Sequence, residues 1–476
     1  MNPSFSRRPS CRAALPYVAV IMTMKPLGGR VMSRTLVALA LTTISLMAAA
    51  DESAARDILD VTNVQIVSRL TGPGSINNTQ AVAIGGTDLG HMVNHGGRTY
   101  FLFGDTFSGD TPAQGGLWRS NVMAYSTDLS PSNGITFDGW VTDGAGLARE
   151  VIQSGRTSPI TEIPTGAVSI DDRIYSWYMA VNWWGPAGQW TANYAGLAYW
   201  KEGDEAFTVV DSFAFPGNGN FGMVAASFRT DPIAPTDNHL YVWGTPAGRL
   251  GGVKLARVEP QDVTDVNAYE YFNGLDAGQP TWVQSEFDAP LIVGPTVGEM
   301  SVMYNEALQS WTMLYLNHDQ YAIEIRQAPE PWGPWSDPVE VATGTQFPGL
   351  YGSYMNPLLV ENGGRTMYFT MSLWGPYDVY LVKATFLTAA DFGDFNQDGI
   401  VDAADYTAWR DGLGSKYTQA DYNVWRAHFG QTVGSGARIG LSSKVAVPEP
   451  ATLVLMLLAC VRRLLDPPFP SRRRWS

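Results

Sequence analysis

Cysteine is nearly missing from this 476-residue chain: there are two, Cys11 and Cys460. Both sit in end segments that read as processing signals, so the chain between those signals carries none. That excludes a disulfide scaffold, a thiol nucleophile and a Cys-ligated metal together. Charge is sparse as well. Asp, Glu, Lys and Arg make up 16% of the residues, against roughly 25% in ordinary soluble domains. The positive share is the smaller one, 31 Lys and Arg against 45 Asp and Glu, for a net charge of −14. Nucleic-acid binding needs a basic face, so that class of partner drops out. No long stretch of the main body carries a convincing 3.6-residue apolar period, which argues against an α-rich body. No Gly-x-Ser-x-Gly elbow and no phosphate-cradling glycine loop is found.

What the chain does have is apolar and aromatic. Hydrophobic residues are 45% and aromatics 12%, with 16 Trp and 49 Gly. That suffices for a sizeable core and suits short strands, tight turns and sugar-stacking surfaces. Five runs rich in β-branched and aromatic residues are bounded by turn formers: Arg98 to Gly104, Arg173 to Ala180, His239 to Gly244, Gln309 to Leu316 and Arg365 to Met371. Such runs read as strands. They start at residues 98, 173, 239, 309 and 365, so the intervals are 75, 66, 70 and 56. Further strand candidates follow them, at Tyr194 to Trp200, Gly252 to Val258, Ala322 to Ala328 and Val379 to Phe386. A coarse repeat of strand groups predicts an all-β, five-bladed β-propeller over residues 51–388. A β-sandwich is the alternative, but more than 300 residues is long for one sandwich.

Both ends carry export features. Arg30 and Arg34 precede the apolar run Thr35 to Ala50, which closes on Ala48-Ala49-Ala50. This is the layout of a secretory signal peptide; the run is short for a spanning helix. Residues 1–31 add a basic leader, with Met32 as an alternative start. At the other end, Val447-Pro448-Glu449-Pro450 is followed by the apolar run Ala451 to Ala459 and by Arg462, Arg463 and Arg472 to Arg474. In that order the three features resemble the Pro-Glu-Pro sorting signal of exopolysaccharide-making bacteria. The resemblance implies an envelope transpeptidase as partner for the tail at 447–476, membrane contact through the terminal segments only, and a cell-envelope, surface or extracellular destination. Residues 431–446, rich in Gly and Ser, read as a linker.

Between the main body and that linker, residues 389–430 change character. Asp394, Asn396, Asp398, Ile400, Asp402 and Asp405 fall at positions 1, 3, 5, 7, 9 and 12 of a calcium-loop pattern, with Gly399 at position 6. Ca²⁺ is a hard cation that takes carboxylate and carbonyl oxygens around a sharp turn, Ile400 supplying its backbone carbonyl. A structural Ca²⁺ is therefore expected, and no organic cofactor. Ala404 to Gly414 and Ala420 to Gly430 both read as short helices bearing a Tyr and a Trp. The whole resembles a degenerate dockerin with one loop, which implies a small α-helical docking or spacer module.

The densest polar constellation lies near the start of the main body, in Gly85-Gly86-Thr87-Asp88-Leu89-Gly90-His91, Phe103-Gly104-Asp105-Thr106-Phe107 and Trp118-Arg119-Ser120-Asn121. Asp88 and Asp105 sit at apparent strand ends. Two carboxylates facing a sugar are the minimal glycosidase apparatus: one acid with a raised pKa, one nucleophile or base. The same residues also suit turn capping. Strings 86–90, 103–107 and 118–122 resemble a bacterial domain family long catalogued as of unknown function, some of whose members are endo-D-arabinanases with five-bladed propellers. Gly298-Glu299-Met-Ser301-Val-Met-Tyr304-Asn305 and Tyr351-Gly-Ser-Tyr354-Met-Asn356-Pro357 are similar to its later blades. The resemblance spans about residues 62–388. It implies that Asp88 and Asp105 are the catalytic pair, and in related propeller glycosidases a later-blade acid, here Glu299, donates a proton. Arg119 and Asn121 are candidates to bind substrate hydroxyls or to hold the aspartates; Tyr354 and Asn356 join them as substrate-binding candidates. Trp183 and Trp184, and Trp374 in Trp374-Gly-Pro-Tyr377, are candidate sugar platforms. Glu330 to Ser336 resembles a structural turn of glycosidase propellers. His91 and His95 lie in strand and turn, so a shared zinc site is not expected. The expected activity is that of an exported glycoside hydrolase acting on a furanoside polysaccharide. The alternative is a non-catalytic sugar-binding or display propeller. A sialidase-type enzyme would need Ser-x-Asp-x-Gly-x-x-Trp turns, which are absent.

Overall fold

The computed structural model describes residues 57–156, 159–229 and 237–433. The expected leader and signal peptide, the sorting tail and nearly all of the linker lie outside the described residues. Among the described residues no helix is long and apolar enough to cross a membrane.

The body is built of strands. After β1 (Asp60–Arg69) come β2 (Gly86–His95), β3 (Arg98–Phe107), β4 (Trp118–Arg119), β5 (Val122–Ser126) and β6 (Gly139–Trp140). The second group is β7 (Thr161–Ile170), β8 (Arg173–Trp184), β9 (Trp190–Lys201), β10 (Thr208–Val209) and β11 (Phe215–Pro216). The third is β12 (Met223–Phe228), β13 (Leu240–Thr245), β14 (Gly251–Val258), β15 (Glu270–Asp276) and β16 (Gln279–Val283). The last two are β17 (Val293–Asn305), β18 (Ser310–Asn317), β19 (Ala322–Ala328) and β20 (Val339–Thr343), then β21 (Leu350–Glu361), β22 (Thr366–Leu373) and β23 (Asp378–Leu387).

Each group is an antiparallel meander. The five runs picked out in the sequence are all the second strand of a group: β3, β8, β13, β18 and β22. Second strands are covered on both faces, and their side chains are accordingly apolar on both; β13, for example, is buried throughout. By hydrogen bonding there are four sheets among the described residues. Gly251 pairs with Val297 and Val253 with Val293, which merges the third and fourth groups into one nine-stranded sheet. The first strands of the groups pack in a closed cycle, β2 on β7, β7 on β12, β12 on β17, β17 on β21 and β21 on β2.

Aromatic pairs hold neighbouring groups together. Tyr100 and Trp200 meet at 5.2 Å between the first and second. Phe215 and Tyr269 meet at 5.4 Å between the second and third, and Trp243 and Trp311 at 5.4 Å between the third and fourth. Residues Leu314, Leu316, Tyr354 and Phe369 share one apolar cluster between the fourth and fifth. An aromatic side chain of this size buries roughly 150–250 Å², or about 4–6 kcal/mol at about 25 cal/mol/Å² as an upper estimate.

The cycle is closed by the first described strand. β1 runs antiparallel to β23 from Asp60 opposite Leu387 to Arg69 opposite Tyr380. Arg69 pairs with the wholly buried carboxylate of Asp378, and the Val379 N–H donates to Thr71 Oγ1 at 2.9 Å. Beyond β23 come two short helices, Ala403–Gly412 and Gln419–His428. Each starts on a reciprocal capping box, Asp402 with Asp405 and Thr418 with Asp421. Their Tyr and Trp residues interdigitate, with Trp409 and Tyr422 ring centroids 5.0 Å apart and Tyr406 and Trp425 5.4 Å apart.

Candidate active site

A cleft of about 630 Å³ is lined by residues of the first strands β2, β7, β12, β17 and β21 and of the β8–β9 and β22–β23 hairpins, with Asp88, Asp105 and Glu299 all in its lining. Asp88 owes its position to an irregular stretch of β2. The register against β3 slips on either side of Leu89, and Leu89 and Gly90 have φ of 67° and 80°. A left-handed leucine is strained by about 1–2 kcal/mol, and β22 of the fifth group holds it there. The Leu89 N–H donates to Ser372 Oγ at 2.8 Å, and Thr370 Oγ1 donates to the Gly90 carbonyl at 2.9 Å. Such bulges re-aim a side chain beside a site. Gly104 completes the arrangement: a Cβ there would lie 2.4 Å from Asp88 Oδ1, so only glycine leaves room for the carboxylate.

The Tyr351 hydroxyl donates to Asp88 Oδ2 at 2.9 Å, and Tyr377 also hydrogen-bonds the group. Asp88 Oδ1 is sealed from solvent with no partner. Burial above all, then the nearby charge of Asp105 and more weakly that of Glu299, push Asp88 up to about 8 against the pull of the two tyrosines. Asp105 accepts at Oδ1 from Trp118 Nε1 (2.9 Å) and Thr161 Oγ1 (2.7 Å). Burial raises it to about 6, those two bonds holding it back and Glu150 adding a little repulsion. Near pH 7 the pair therefore keeps one proton, and it sits on Asp88. Two carboxyl groups driven apart in this way can serve as acid and base in one reaction.

Glu299 is differently placed. Arg249 Nε lies 3.1 Å from each of its oxygens and Nη2 lies 2.6 Å from Oε1. The same guanidinium stacks 5.4 Å over the Trp190 ring and 5.2 Å over Tyr351. Burial holds the Tyr351, Tyr354 and Tyr377 hydroxyls well above their usual range, so they stay neutral donors.

Tyr354, Trp184 and Trp374 line the cleft. Trp183 does not. It is exposed, and its ring lies over Gly185, because neighbours on a strand point to opposite faces. Arg119, Asn121 and Asn356 also lie outside the lining. Arg119 is spent on the carbonyls of Ala83 (2.7 Å) and Ala148 (3.1 Å). The Asn121 amide donates to Ile152 O and Glu162 O and accepts from the Val151 and Ile152 N–H groups. Asn356 exchanges two 2.9 Å bonds with Asn94. All three tie backbone or other side chains together, and the buried Arg119 Nε is left without a partner. Tyr351, Tyr377, Trp118, Thr161 and Arg249 were not singled out from the sequence. The two tyrosines and Trp118 lie in the motif strings; Arg249 follows Ala247-Gly248 with no motif around it.

His91 Nε2 accepts from the Ala167 N–H at 2.8 Å and His95 Nδ1 meets Ser169 Oγ at 2.8 Å, so the two imidazoles do not share a ligand. In the expected calcium loop, Asp394 accepts from the Gln397 and Gly399 N–H groups, Asn396 from Asp398, Asp398 from Ile400 and Asp402 from Ala404. Asp405 accepts from Phe395, Asn396 and Asp402. Burial, then the charges of Asp405 and Asp398, raise the Asp394 carboxyl. The donors are all oxygen, as Ca²⁺ requires. No three His, Cys, Asp or Glu groups among the described residues are gathered as a metal cage.

Comparison with known proteins finds relatives of the same main body. Notoamide biosynthesis cluster protein J of Aspergillus sp. (strain MF297-2) is 29% identical over 313 residues, 61% of this chain and 80% of that protein. Protein J' of Aspergillus versicolor is 29% identical over 314 residues, 61% of this chain and 81% of that protein. Among solved structures, a putative hydrolase from Bacteroides ovatus superposes with a TM-score of 0.47 at 14% identity, over 63% of this chain and 86% of its own. An exo-β-1,3-galactanase from Phanerochaete chrysosporium does so with a TM-score of 0.41 at 13% identity, over 68% and 64%. The segment that supplies every cleft residue named above falls within residues 74–383, where the chain matches the family described as Domain of unknown function (DUF4185), and the chain belongs to that family.

Proposed function

We propose that this protein is a glycoside hydrolase, built as a five-bladed β-propeller, that cuts an extracellular furanoside polysaccharide such as D-arabinan. The observation that carries the reading is the carboxyl pair in one cleft, Asp88 pushed up to about 8 and Asp105 to about 6. Asp88 gives its proton to the leaving glycosidic oxygen as the C–O bond breaks. The ionised Asp105 either attacks the anomeric carbon or takes the proton from an attacking water, and water finally supplies OH to the new sugar end. Arg249 holds Glu299 by two-point hydrogen bonding, which suits binding and positioning better than proton donation. The five meanders and the cycle of their first strands support the five-bladed count. Export, envelope sorting and a structural Ca²⁺ held by Asp394, Asn396, Asp398, Ile400, Asp402 and Asp405 complete the proposal, on the terminal and loop sequence patterns.

The test is sugar release by the purified protein from arabinans, galactofuranans and bacterial exopolysaccharides, beside Asp88→Asn and Asp105→Asn. Release by the parent, with a loss of about 10²–10⁴-fold in each variant, is expected for paired acid–base groups. No release from any polymer, with binding to one of them intact, would make this a carbohydrate-binding propeller instead.

A further inference from the structure

The rim of the cleft is stitched nearly all the way round. The β8–β9 hairpin starts in the second sheet and reaches across to the third and fourth groups. At its tip, the Gly188 carbonyl accepts from the Arg249 N–H at 2.8 Å. Gly188 has φ of 77°, and a Cβ there would lie 2.6 Å from the His318 ring, so the imidazole of the β18–β19 turn lies directly against the hairpin. From that turn the stitching continues. The Tyr321 hydroxyl accepts from the Gly349 N–H at 2.6 Å. The Trp374 N–H donates to the Gly349 carbonyl at 2.8 Å, and the Thr87 N–H to the Tyr377 carbonyl at 2.8 Å. This chain of contacts runs from the second group through the third, fourth and fifth to the first. Between the first and second, no hydrogen bond among the described residues joins the β3–β4 loop to the β8–β9 hairpin. The link there lies deeper, where Thr161 Oγ1 donates to Asp105. Beside it stand three exposed apolar residues, Leu117, Trp118 and Ile160.

A polysaccharide cut in mid-chain must leave the catalytic centre in two directions. A rim with one unstitched side offers one exit, and about 630 Å³ is the volume of a small-ligand site. Resting on the glycosidase reading above, we propose that a polysaccharide chain enters this cleft by its end, through a gate between the first and second sheets, and is shortened from that end. The chain beyond the cut lies over Trp118 and its apolar neighbours. This departs from the mid-chain cutting that the sequence resemblance implies. The β8–β9 hairpin is then a specificity element, since it bars the second exit.

The experiment follows specific viscosity and new reducing ends together while the purified protein digests an arabinan, with products sized from the first time point. End-wise cutting is expected: reducing ends accumulate, viscosity falls late, and products are short throughout. An early collapse in viscosity with a ladder of intermediate oligosaccharides overturns the proposal and leaves the hydrolase reading standing. No product from any polymer overturns both. A hairpin variant tests the cause. Trp184 and Trp190 pair across the loop, so Gly185–Gln189 can be replaced by Asn-Gly, the preferred two-residue hairpin turn. It is expected to raise viscosity loss per bond cut several-fold, a ratio that does not depend on how active the variant is. Should that loop fail to fold, His318→Ala withdraws the support under Gly188 and is expected to shift the ratio the same way. An unchanged ratio in a folded variant refutes the role of the hairpin.

Discussion

Gly104 carries no chemistry, yet the site depends on its lacking a side chain. With Asp88 Oδ1 2.4 Å from where a Cβ would stand, Gly104→Ala must displace that carboxylate. We expect kcat to fall at least tenfold, since misplacement of about 1 Å costs on the order of 10²-fold, with about 1–3 kcal/mol of overpacking. Sugar release and a thermal melt check both; an unchanged kcat would refute the placement of Asp88. The carboxyl pair predicts a bell-shaped rate profile, rising through about pH 6 as Asp105 ionises and falling through about pH 8 as Asp88 loses its proton. Stability has the opposite sign to ordinary surface carboxylates. Both folded values lie above the usual 3.8, so these groups favour the fold at low pH and lose that contribution progressively from about pH 4, the loss being complete by about 6 for Asp105 and about 8 for Asp88. Asp88→Asn, which cannot ionise, is therefore expected to melt close to the parent near about pH 4 and increasingly above it as pH rises towards about 8, with no further divergence beyond. At this scale the sequence spoke through short strings. Asp88 and Asp105 were legible because Gly and Thr flank them in strings with a resemblance. Arg119 and Asn121 looked equally polar, but which partner a buried guanidinium or amide meets depends on chain folded around it from Ala83 and Ile152. Arg249 came from a turn with no pattern at all.

Elements were more legible than residues. Second strands announce themselves because both faces are buried, which forces continuous apolar runs. Strands of two residues, such as β4, β6, β10 and β11, leave no such trace. Nor does the pairing of β14 with β17, which is made by backbone at Gly251 and Val253. The helix pair was readable because Tyr and Trp recur at the same spacing and form one aromatic cluster. The proposed calcium loop gives an element-scale prediction. Added Ca²⁺ at about 100 times Kd should stabilise the module by about 2.7 kcal/mol, read from the fluorescence of Trp409 and Trp425 in a melt, and EGTA should reverse it. Asp398→Asn should weaken the response. A melt indifferent to Ca²⁺ and EGTA would leave the loop as a self-bonded acidic turn.

Across the whole β body the weight falls on the join between its first and last strands. Arg69 is the ion-pair partner of Asp378, whose carboxyl burial pushes up to about 7 even so. Arg69→Ala leaves that acid without its cation. Breaking a buried pair costs about 3–5 kcal/mol, and the partial exposure of Arg69 puts the expected loss near the low end. The sign of its pH dependence is fixed. With the folded value raised further, stability is lost as pH rises, so the variant should sit close to the parent below pH 6 and fall behind above pH 8. A pH-independent difference would mean that Arg69 acts by packing alone.

β1 is made first and β23 last, and neither has its partner until nearly the whole body exists. Closing a loop of that length costs roughly 5 kcal/mol of chain entropy, so the join can form only once the sheets in between have brought the ends close. A polypeptide released before residue 378 has no strand for β1 to pair with and leaves β22 with a bare edge. The architecture thus serves as its own proof of length: only a body synthesised through β23 can shut, and shorter products stay open to aggregation and proteolysis.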